Sequence, residues 1–566
     1  MAKFIFITGG VLSGLGKGII AASVGNILKG SGLNISIMKF DQYLNIDAGT
    51  LNPTEHGEVF VTADGAETDL DLGHYERFID CNLSHESSVM SGQIFQTILE
   101  NERRGEYLGK TIQMIPHVTD EVKKRIARLA KKSEADIIIV EIGGTIGDYE
   151  GAHFLEGIRQ MRRDFGADNT LYLHAGFLPY LETTCELKTK PLQNSIRDLA
   201  SYGIQPDIVF CRADYPISKK ELDKISLFCG IDKDGVIPLQ TSDQVYEVPS
   251  LLEKYNLSRV IARKLNLHLR KSSSEWQKLV ARIKKPKKQK VKIALVGKYM
   301  AMRDTYISVI EALKSACWWN DVDLNLGWID SEKIEKDGAE KYLKQYDGIV
   351  IPGGFGNRGI EGKIAAAKFA RENKVPYLGL CLGMQIATIE FARYVLTTSD
   401  CNSEEFNPKT KNPVIHLMSE QSRIKDKGGT MRLGVYKCKL SPKSISYQAY
   451  GQRIIFERHR HRFEFNNKYR KILEKAGLRI VGVNPEKNLV EIIELKNHPF
   501  LVGSQFHPEF KSRPNRPHPL FRQFIKIAKK FNKPNNEPNR GRFSRKHGFS
   551  KNNIEMKSKL GTVLKI

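Results

Sequence analysis

Residues 4–23 read Phe4-Ile-Phe-Ile-Thr-Gly-Gly-Val-Leu-Ser-Gly-Leu-Gly-Lys17-Gly18-Ile-Ile-Ala-Ala-Ser23. An apolar, β-rich run passes through a glycine loop with one lysine into a small-residue stretch suited to a helix. Such loops let backbone N–H groups close around phosphate oxygens, and the lysine adds a fixed positive charge. The spacing departs from the P-loop. Gly10 is one residue too far from Gly16-Lys17, and Gly18 stands where a hydroxyl would meet Mg²⁺. A tight strand–helix turn with a solvated lysine is the bland alternative; phosphate binding is the reading taken.

The same alternation runs through the chain. Further strand candidates are 35–40, 137–142, 170–174 and 208–211, then 293–296, 348–351, 377–380 and 501–504, separated by helix-length segments. Continuous apolar strands between helices predict an α/β fold of parallel sheets covered on both faces, with ligands beyond the strands' carboxyl ends. Lys284-Lys-Pro-Lys-Lys-Gln-Lys-Val-Lys292 reads as a stiff, self-repelling linker between two units. The division is 1–268, a basic linker 269–292, 293–531, and a basic, disordered tail 532–566.

The 566 residues carry a net charge of +24, which invites a nucleic-acid reading. Residues 263–292 hold 12 basic and one acidic residue and residues 511–566 hold 16 and two, so the other 480 residues sum to −1. Nucleic acid is therefore not an expected partner, and the tail alone keeps it as a minor alternative. No apolar stretch approaches the ~18 residues of a membrane span. The N-terminal run is broken by Gly9, Gly10 and Lys17 before a signal-peptide core is complete. The eight cysteines include no Cys-x-x-Cys pair. The reading is cytoplasmic.

With no hydroxyl at residue 18, Mg²⁺ needs carboxylates from elsewhere. Glu141 closes the apolar strand Asp136-Ile-Ile-Ile-Val-Glu141, where an unpaired carboxylate is costly. Asp71 lies in the acidic run Glu67-Thr-Asp-Leu-Asp71-Leu-Gly-His74-Tyr-Glu76, which on spacing alone is a solvated charge run. Lys188-Thr-Lys-Pro-Leu-Gln193 offers two cations and an amide ahead of a helix, suited to phosphate or simply to solvent. In the second half, Gly-Leu-Cys381-Leu-Gly is a sharp turn between strand and helix. It has the form of a nucleophile elbow, whose helix N-terminus favours a thiolate. Gln505-Phe-His507-Pro-Glu509 supplies a base and a carboxylate, and Val350-Ile-Pro-Gly-Gly354-Phe-Gly356 a second glycine loop. A buried core cysteine is the alternative for Cys381 alone. Arg458-His-Arg-His-Arg462 fits a basic patch, a His-x-His metal pair or a carboxylate clamp.

The Cys381 and His507 motifs together resemble the class I glutamine amidotransferases. Joined to the Gly9–Gly18 loop and the Glu67–Phe78 segment, they closely resemble the CTP synthase family, from residue 3 to about 531. The resemblance implies a P-loop-like synthetase domain and a flavodoxin-like glutaminase domain. In that family ATP phosphorylates O4 of UTP and ammonia from glutamine displaces the phosphate at C4, giving CTP. Carried over by motif, Gly14, Leu15, Gly16, Lys17, Gly18 and Ile19 hold ATP, with Asp71 and Glu141 as Mg²⁺ ligands. Lys39 lies near the transferred phosphate, and Arg212 and His74 near ATP. Ser13, Lys188, Thr189, Lys190, Pro191, Leu192, Gln193 and Lys224 meet the pyrimidine nucleotide, and Asp148, Tyr149 and Glu150 meet CTP as feedback inhibitor. Cys381 attacks the glutamine amide, with His507 as base and Glu509 orienting it. Gly354 and Leu382 N–H groups form the oxyanion hole, while Gln385, Glu405 and Arg462 hold the amino-acid end, making Arg458–Arg462 a substrate clamp. Residues 428–434 resemble a lid through which GTP activates, and the family forms homotetramers.

Two departures stand out besides the tail. Gln42 replaces the usual proline, predicting a looser turn, and the loop 419–427 is shorter than in many members. Another ATP-dependent amidotransferase, or a nucleotide-switched partition or filament protein, is the rival reading. The first is opposed by the Lys188–Gln193 and Asp69–His74 segments, the second by the Cys381/His507/Glu509 set.

Overall fold

The computed structural model describes residues 2–298, 302–418 and 429–531. Seven strands, β1 (Lys3–Gly10), β2 (Ile35–Asp41), β3 (Ser88–Met90), β4 (Ile137–Ile142), β5 (Thr170–Phe177), β6 (Ile208–Ala213) and β7 (Val236–Gln240), form one sheet in the order β7-β6-β5-β1-β4-β2-β3. Every pairing in it is parallel. Alternate residues feed opposite faces, as the two-residue period of a strand requires. Ile5, Ile7, Ile37 and Ile139 enter one core, and Phe4, Phe6, Phe40 and Val140 the other. A strand buried on both faces must read as a continuous apolar run, which is why β1, β2, β4, β5 and β6 were legible, whereas β3 and β7, at the two edges of the sheet, were not among the strand candidates.

The second sheet has nine strands: β8 (Lys290–Gly297), β9 (Asp323–Asp330), β10 (Gly348–Ile351), β11 (Tyr377–Leu380), β12 (Arg432–Leu440), β13 (Ile454–His461), β14 (Leu478–Asn484), β15 (Leu489–Leu495) and β16 (Leu501–Ser504). Their order is β9-β8-β10-β11-β16-β15-β14-β12-β13. The first five are parallel and follow the doubly wound 2-1-3-4-5 order of a flavodoxin-like sheet. The other four add on antiparallel, so this sheet is mixed rather than wholly parallel. Antiparallel strands can join through short turns, so they lack the strand–helix rhythm from which a parallel sheet was expected.

The basic stretch read as a self-repelling linker folds. Residues Glu275–Lys284 are a helix, and Lys290 already belongs to β8. Trp276 packs on Phe78 and Tyr246, and its indole N–H donates to the Tyr246 carbonyl (2.9 Å). Acids distant in sequence meet the lysines: Lys284 pairs with Glu247, and Lys285 lies 3.6 Å from Asp321. The tail 532–566 and the loop 419–427 lie outside the described residues, as does Gly428 of the lid segment. Among the described residues no helix is long and apolar enough to cross a membrane.

Candidate active sites

The carboxyl end of β1 runs into the glycine loop, where Gly14 (φ 68°) and Gly16 (φ 87°) take left-handed conformations closed to most side chains. Helix Lys17–Gly30 follows, with Gly16 as its N-cap. Buried Lys17 donates through Nζ to the Gly144 carbonyl (2.6 Å) on the loop after β4. Burial lowers its pKa, as does Lys39, against Glu141 and Asp71. Arg212 reaches over the loop to donate to the Leu15 carbonyl, and Ser13, two residues earlier in the same loop, is exposed.

Behind Lys17 the ends of β2 and β4 and the helix Asp71–Ile79 gather four carboxylates: Asp41, Asp69, Asp71 and Glu141. Lys39 lies 3.0 Å from Asp69 and 3.4 Å from Asp41, and pairs closely with Asp71. Tyr75 donates its hydroxyl to Glu141. Burial opposes charge on Asp71, but Lys39 and then His74 outweigh it and hold that carboxyl down at about 2. Burial and the Asp71 charge push Glu141 up to about 7, and burial takes Asp69 to about 7 as well. More acids than bases in one buried site is an electrostatic arrangement that favours a cation. A Cβ on Gly18 would overlap Asp71 Oδ1 and lie 3.5 Å from Glu141 Oε2. The absent hydroxyl thus leaves room where these two carboxylates converge. Among the described residues no group of three or more His, Cys, Asp or Glu could hold a metal alone. The donor set suits Mg²⁺ completed by phosphate oxygens and water. Asp69 and Asp41 were missed in the sequence; Asp69 sits in the same acidic run.

The expected pyrimidine-nucleotide residues fall into separate places. Lys190, Pro191, Leu192 and Gln193 open the helix Lys190–Ser201, preceded by Thr189, whose hydroxyl accepts from Gln193 (3.1 Å). Buried Leu192 packs under Gly176, so it supports the site rather than lining it. Lys188 pairs with Glu186, whose carboxyl also feels Lys224. On the loop after β4, Asp148 caps Thr145 N (2.6 Å), while Tyr149 is 91% exposed and Glu150 is exposed too. Gln42 does not loosen its turn: its amide donates to the Gly143 carbonyl (2.9 Å) and packs over Gly144 and Gly151.

In the second half, Cys381 joins β11 to the helix Leu382–Leu396 with φ 48° and ψ −99°, a strained elbow that a non-glycine residue holds only when its surroundings enforce it. Its N–H donates to the Ser504 carbonyl (2.7 Å). Gly379 and Gly383 are required by closeness: a Cβ on Gly379 would come within 2.5 Å of the Gly383 backbone. His507 follows β16, and its Nδ1 lies 2.7 Å from Glu509 Oε1. Its Nε2 is buried with no hydrogen bond among the described residues. Burial disfavours the imidazolium, but Glu509 and Cys381 outweigh it and raise the pKa to about 10. Gly353 lets the histidine in, since a Cβ there would be 2.7 Å from its Cε1.

Cys381, His507, Glu509 and Gly354 share a cavity of about 250 Å³, whose opposite wall belongs to the first half. Leu382 N–H opens the helix beside it. Gln385 spends its amide on the Phe463 carbonyl (2.9 Å) and Gln505 (3.3 Å). Glu405 accepts from Gly356 N (2.8 Å), and Arg462 donates to Thr430 (2.9 Å).

The expectation that Arg458–Arg462 forms one substrate clamp is corrected. Arg458 is fully buried on Glu76 (2.9 Å) and the Val61 carbonyl (3.0 Å), and Arg460 meets Glu67 (2.7 Å). His459 and His461 are buried beside Arg432 and Glu491, kept neutral by burial and that arginine. Strand alternation is the cause: the arginines of β13 face the first half and the histidines face away.

A thiol elbow with its histidine and glutamate, on a 2-1-3-4-5 sheet, defines a class I glutamine amidotransferase, here joined to a nucleotide-binding synthetase. The glutamine amidotransferase class-I family matches residues 301–527, and the family described as CTP synthase N-terminus matches residues 3–267. A CTP synthase of Roseiflexus sp. (strain RS-1) is 57% identical over 532 residues, 94% of this chain and 95% of that one. A CTP synthase of Carboxydothermus hydrogenoformans is 56% identical over 534 residues, 94% and 100%. The solved glutaminase domain of Trypanosoma brucei CTPS with bound acivicin is 40% identical, covers 42% of this chain and 94% of its own, and has a TM-score of 0.40. The chain belongs to the CTP synthase family: it aminates UTP to CTP in an ATP-dependent reaction, with glutamine as the nitrogen source.

Proposed function

We propose that the two halves divide this reaction, 1–268 as synthetase and 293–531 as glutaminase, with 269–292 joining them. In the glutaminase, His507 as base holds the thiol proton, the Cys381 thiolate attacks the glutamine amide carbon, and the His507 imidazolium gives that proton to the departing nitrogen, so that neutral ammonia leaves. Glu509 holds the imidazole, and the Gly354 and Leu382 N–H groups stabilise the oxyanion. Gln385, Glu405 and Arg462 hold or shape the amino-acid end. Water then releases glutamate from the thioester. The observation that carries the assignment is the shared cavity, with a histidine nitrogen buried and unpaired beside a strained cysteine.

In the synthetase, the loop Gly14–Ile19 and Lys17 cradle ATP, with Arg212 and His74 close by. Asp71 and Glu141 would hold Mg²⁺, which when bound offsets phosphate charge and orients it. Lys39, paired among acids at the strand ends, lies where a transferred phosphate would need a cation. Phosphorylation turns uracil O4 into a leaving group that ammonia displaces. Ser13, Lys188–Gln193 and Lys224 recognise UTP, and Asp148–Glu150 recognise CTP as feedback inhibitor. The exposure of Tyr149 and Lys224 supports nucleotide sites completed by a second copy, as in a homotetramer. GTP is the expected activator. All eight cysteines are free thiols, which accords with a cytoplasmic enzyme.

The test is CTP formation from UTP, ATP·Mg²⁺ and either glutamine or ammonium. Cys381→Ala should lose the glutamine-dependent reaction and keep the ammonium-dependent one. Loss of both would refute the division of labour.

A further inference from the structure

The loop after β10 carries Gly354, the expected oxyanion donor, yet few bonds hold it. Among the described residues Gly353, Gly354 and Phe355 make no backbone hydrogen bond, and the first fixed point is Gly356 N on Glu405 (2.8 Å). The two leading glycines face different neighbours. A Cβ on Gly353 would meet His507, whereas a Cβ on Gly354 would lie 3.9 Å from Lys363 Nζ and 4.0 Å from Lys298 Cε.

Lys363 lies on the helix Ile360–Glu372 and is fully buried, and its Nζ has no hydrogen bond among the described residues. Lysine is almost never fully buried without a partner, because its ammonium gives up hydration for nothing in return. Burial first, and then the Lys298 charge, lower its pKa to about 7, with Glu405 opposing. An ammonium can only donate, so what Lys363 lacks is an acceptor. What the loop lacks is donors for its carbonyls. Lys363 is not among the residues lining the cavity that Gly353 and Gly354 share with Cys381, so its ammonium meets the loop from outside that cavity. A trans peptide points its C=O and its N–H in opposite directions. For the Gly354 N–H to face an oxyanion on the cavity side, the Gly353 carbonyl must therefore turn outward.

We propose that Lys363 is a positioning residue of the glutaminase: its ammonium takes the outward Gly353 carbonyl as acceptor and so holds the Gly354 N–H on the oxyanion. The inference rests on the assignment of the Gly354 N–H to the oxyanion above. Two successive glycines leave this peptide free to rotate into place, since neither carries a Cβ to restrict it. That freedom has an entropic cost, which a fixed partner for the carbonyl offsets. The donor is needed by the tetrahedral intermediate rather than by bound glutamine, so its placement governs kcat more than KM.

The measurement is glutamine hydrolysis by the full-length enzyme. Ammonium-dependent CTP formation, the thermal unfolding midpoint and alkylation of Cys381 by iodoacetamide are followed beside it. Removing an oxyanion donor outright costs about 100- to 1,000-fold in kcat. Lys363→Met, which keeps the length and removes donor and charge, should lower kcat for glutamine by about ten-fold or more and change KM by less than about three-fold. Alkylation, which forms no oxyanion, and ammonium-dependent synthesis should stay within about two-fold of wild type. The midpoint should hold or rise, because an unpaired buried charge is removed. A merely structural lysine would lower midpoint, alkylation and turnover together. An unchanged kcat, a loss carried by KM, or a midpoint or alkylation rate that falls with kcat overturns the proposal. Should Lys363→Met fail to fold, Lys363→Gln decides: its shorter, neutral donor must lower kcat by about three-fold or more, and no fall overturns the proposal. Full glutamine turnover in Gly354→Pro, which has no N–H at that position, would instead overturn the oxyanion assignment on which this one stands.

Discussion

His507 is buried, yet its imidazolium is favoured, because Glu509 at 2.7 Å and the Cys381 sulfur outweigh the cost of desolvation. The sign follows for a variant. Removing the Glu509 charge removes a term that raises the pKa, so His507 loses its proton at lower pH. In Glu509→Gln, the alkaline limb of glutamine hydrolysis should move to lower pH and the maximal rate should fall by about 10- to 100-fold. An alkaline limb that stays in place would show that another group sets it. Ammonium-dependent CTP formation should keep its own pH profile, because among the described residues Lys17, Lys39, Asp41, Asp69, Asp71 and Glu141 bond with one another and with their own half rather than with this pair.

At the scale of elements, both sites use the same device: a parallel strand, a sharp turn flanked by glycines, and a helix N-terminus. Two substitutions should separate them. Gly379→Ala places a methyl group against the Gly383 backbone at the elbow. It should cost about 1–3 kcal/mol of stability and abolish glutamine hydrolysis while sparing ammonium-dependent synthesis. Gly18→Ser makes the loop look more like a P-loop, but its side chain meets Asp71. It should reduce ammonium-dependent CTP formation by about ten-fold or more and leave glutamine hydrolysis measurable. A fully active Gly18→Ser enzyme would contradict the carboxylate arrangement described here.

Across the whole molecule, the halves are joined by a seam rather than a tether. Glu76 is buried between Arg458 and Arg513, accepts Leu83 N (2.8 Å), and lies on the helix that begins at Asp71. His507 N donates to the Arg458 carbonyl (2.8 Å), so the same arginine borders both the seam and the thiol site. Phe60 and Phe510 pack across it with ring centroids 5.1 Å apart. Glu76→Gln leaves two buried guanidinium groups short of a counter-charge, an imbalance that costs about 3–5 kcal/mol. Its thermal unfolding midpoint should fall, and CTP per glutamate should fall with it as the seam loosens. An unchanged midpoint would mean that the ion pairs contribute nothing to docking.

Much of this protein is written locally. The buried parallel strands announce themselves because both faces must be apolar, and the two elbows because glycines must recur at fixed offsets around Lys17 and Cys381. Cys381, His507, Glu509 and Glu141 stood out for that reason, each ending or following a recognisable strand, whereas Asp71 on spacing alone read as a solvated charge run and was singled out only through the family resemblance. The antiparallel strands β12 to β15 carry no such rhythm and were missed. The basic stretch at 284–292 misled because its acidic partners, Glu247 and Asp321, lie tens of residues away. Only the tertiary structure decided what Arg458 and Arg460 do, since Glu76 and Glu67 are nearly 400 residues distant in the chain. It alone brought Glu58 to the wall of the cysteine cavity and set Ser308, 250 residues away in the chain, against it. Strand and turn patterns depend on near neighbours, whereas charge pairing and a shared cavity depend on which surfaces meet once the halves dock.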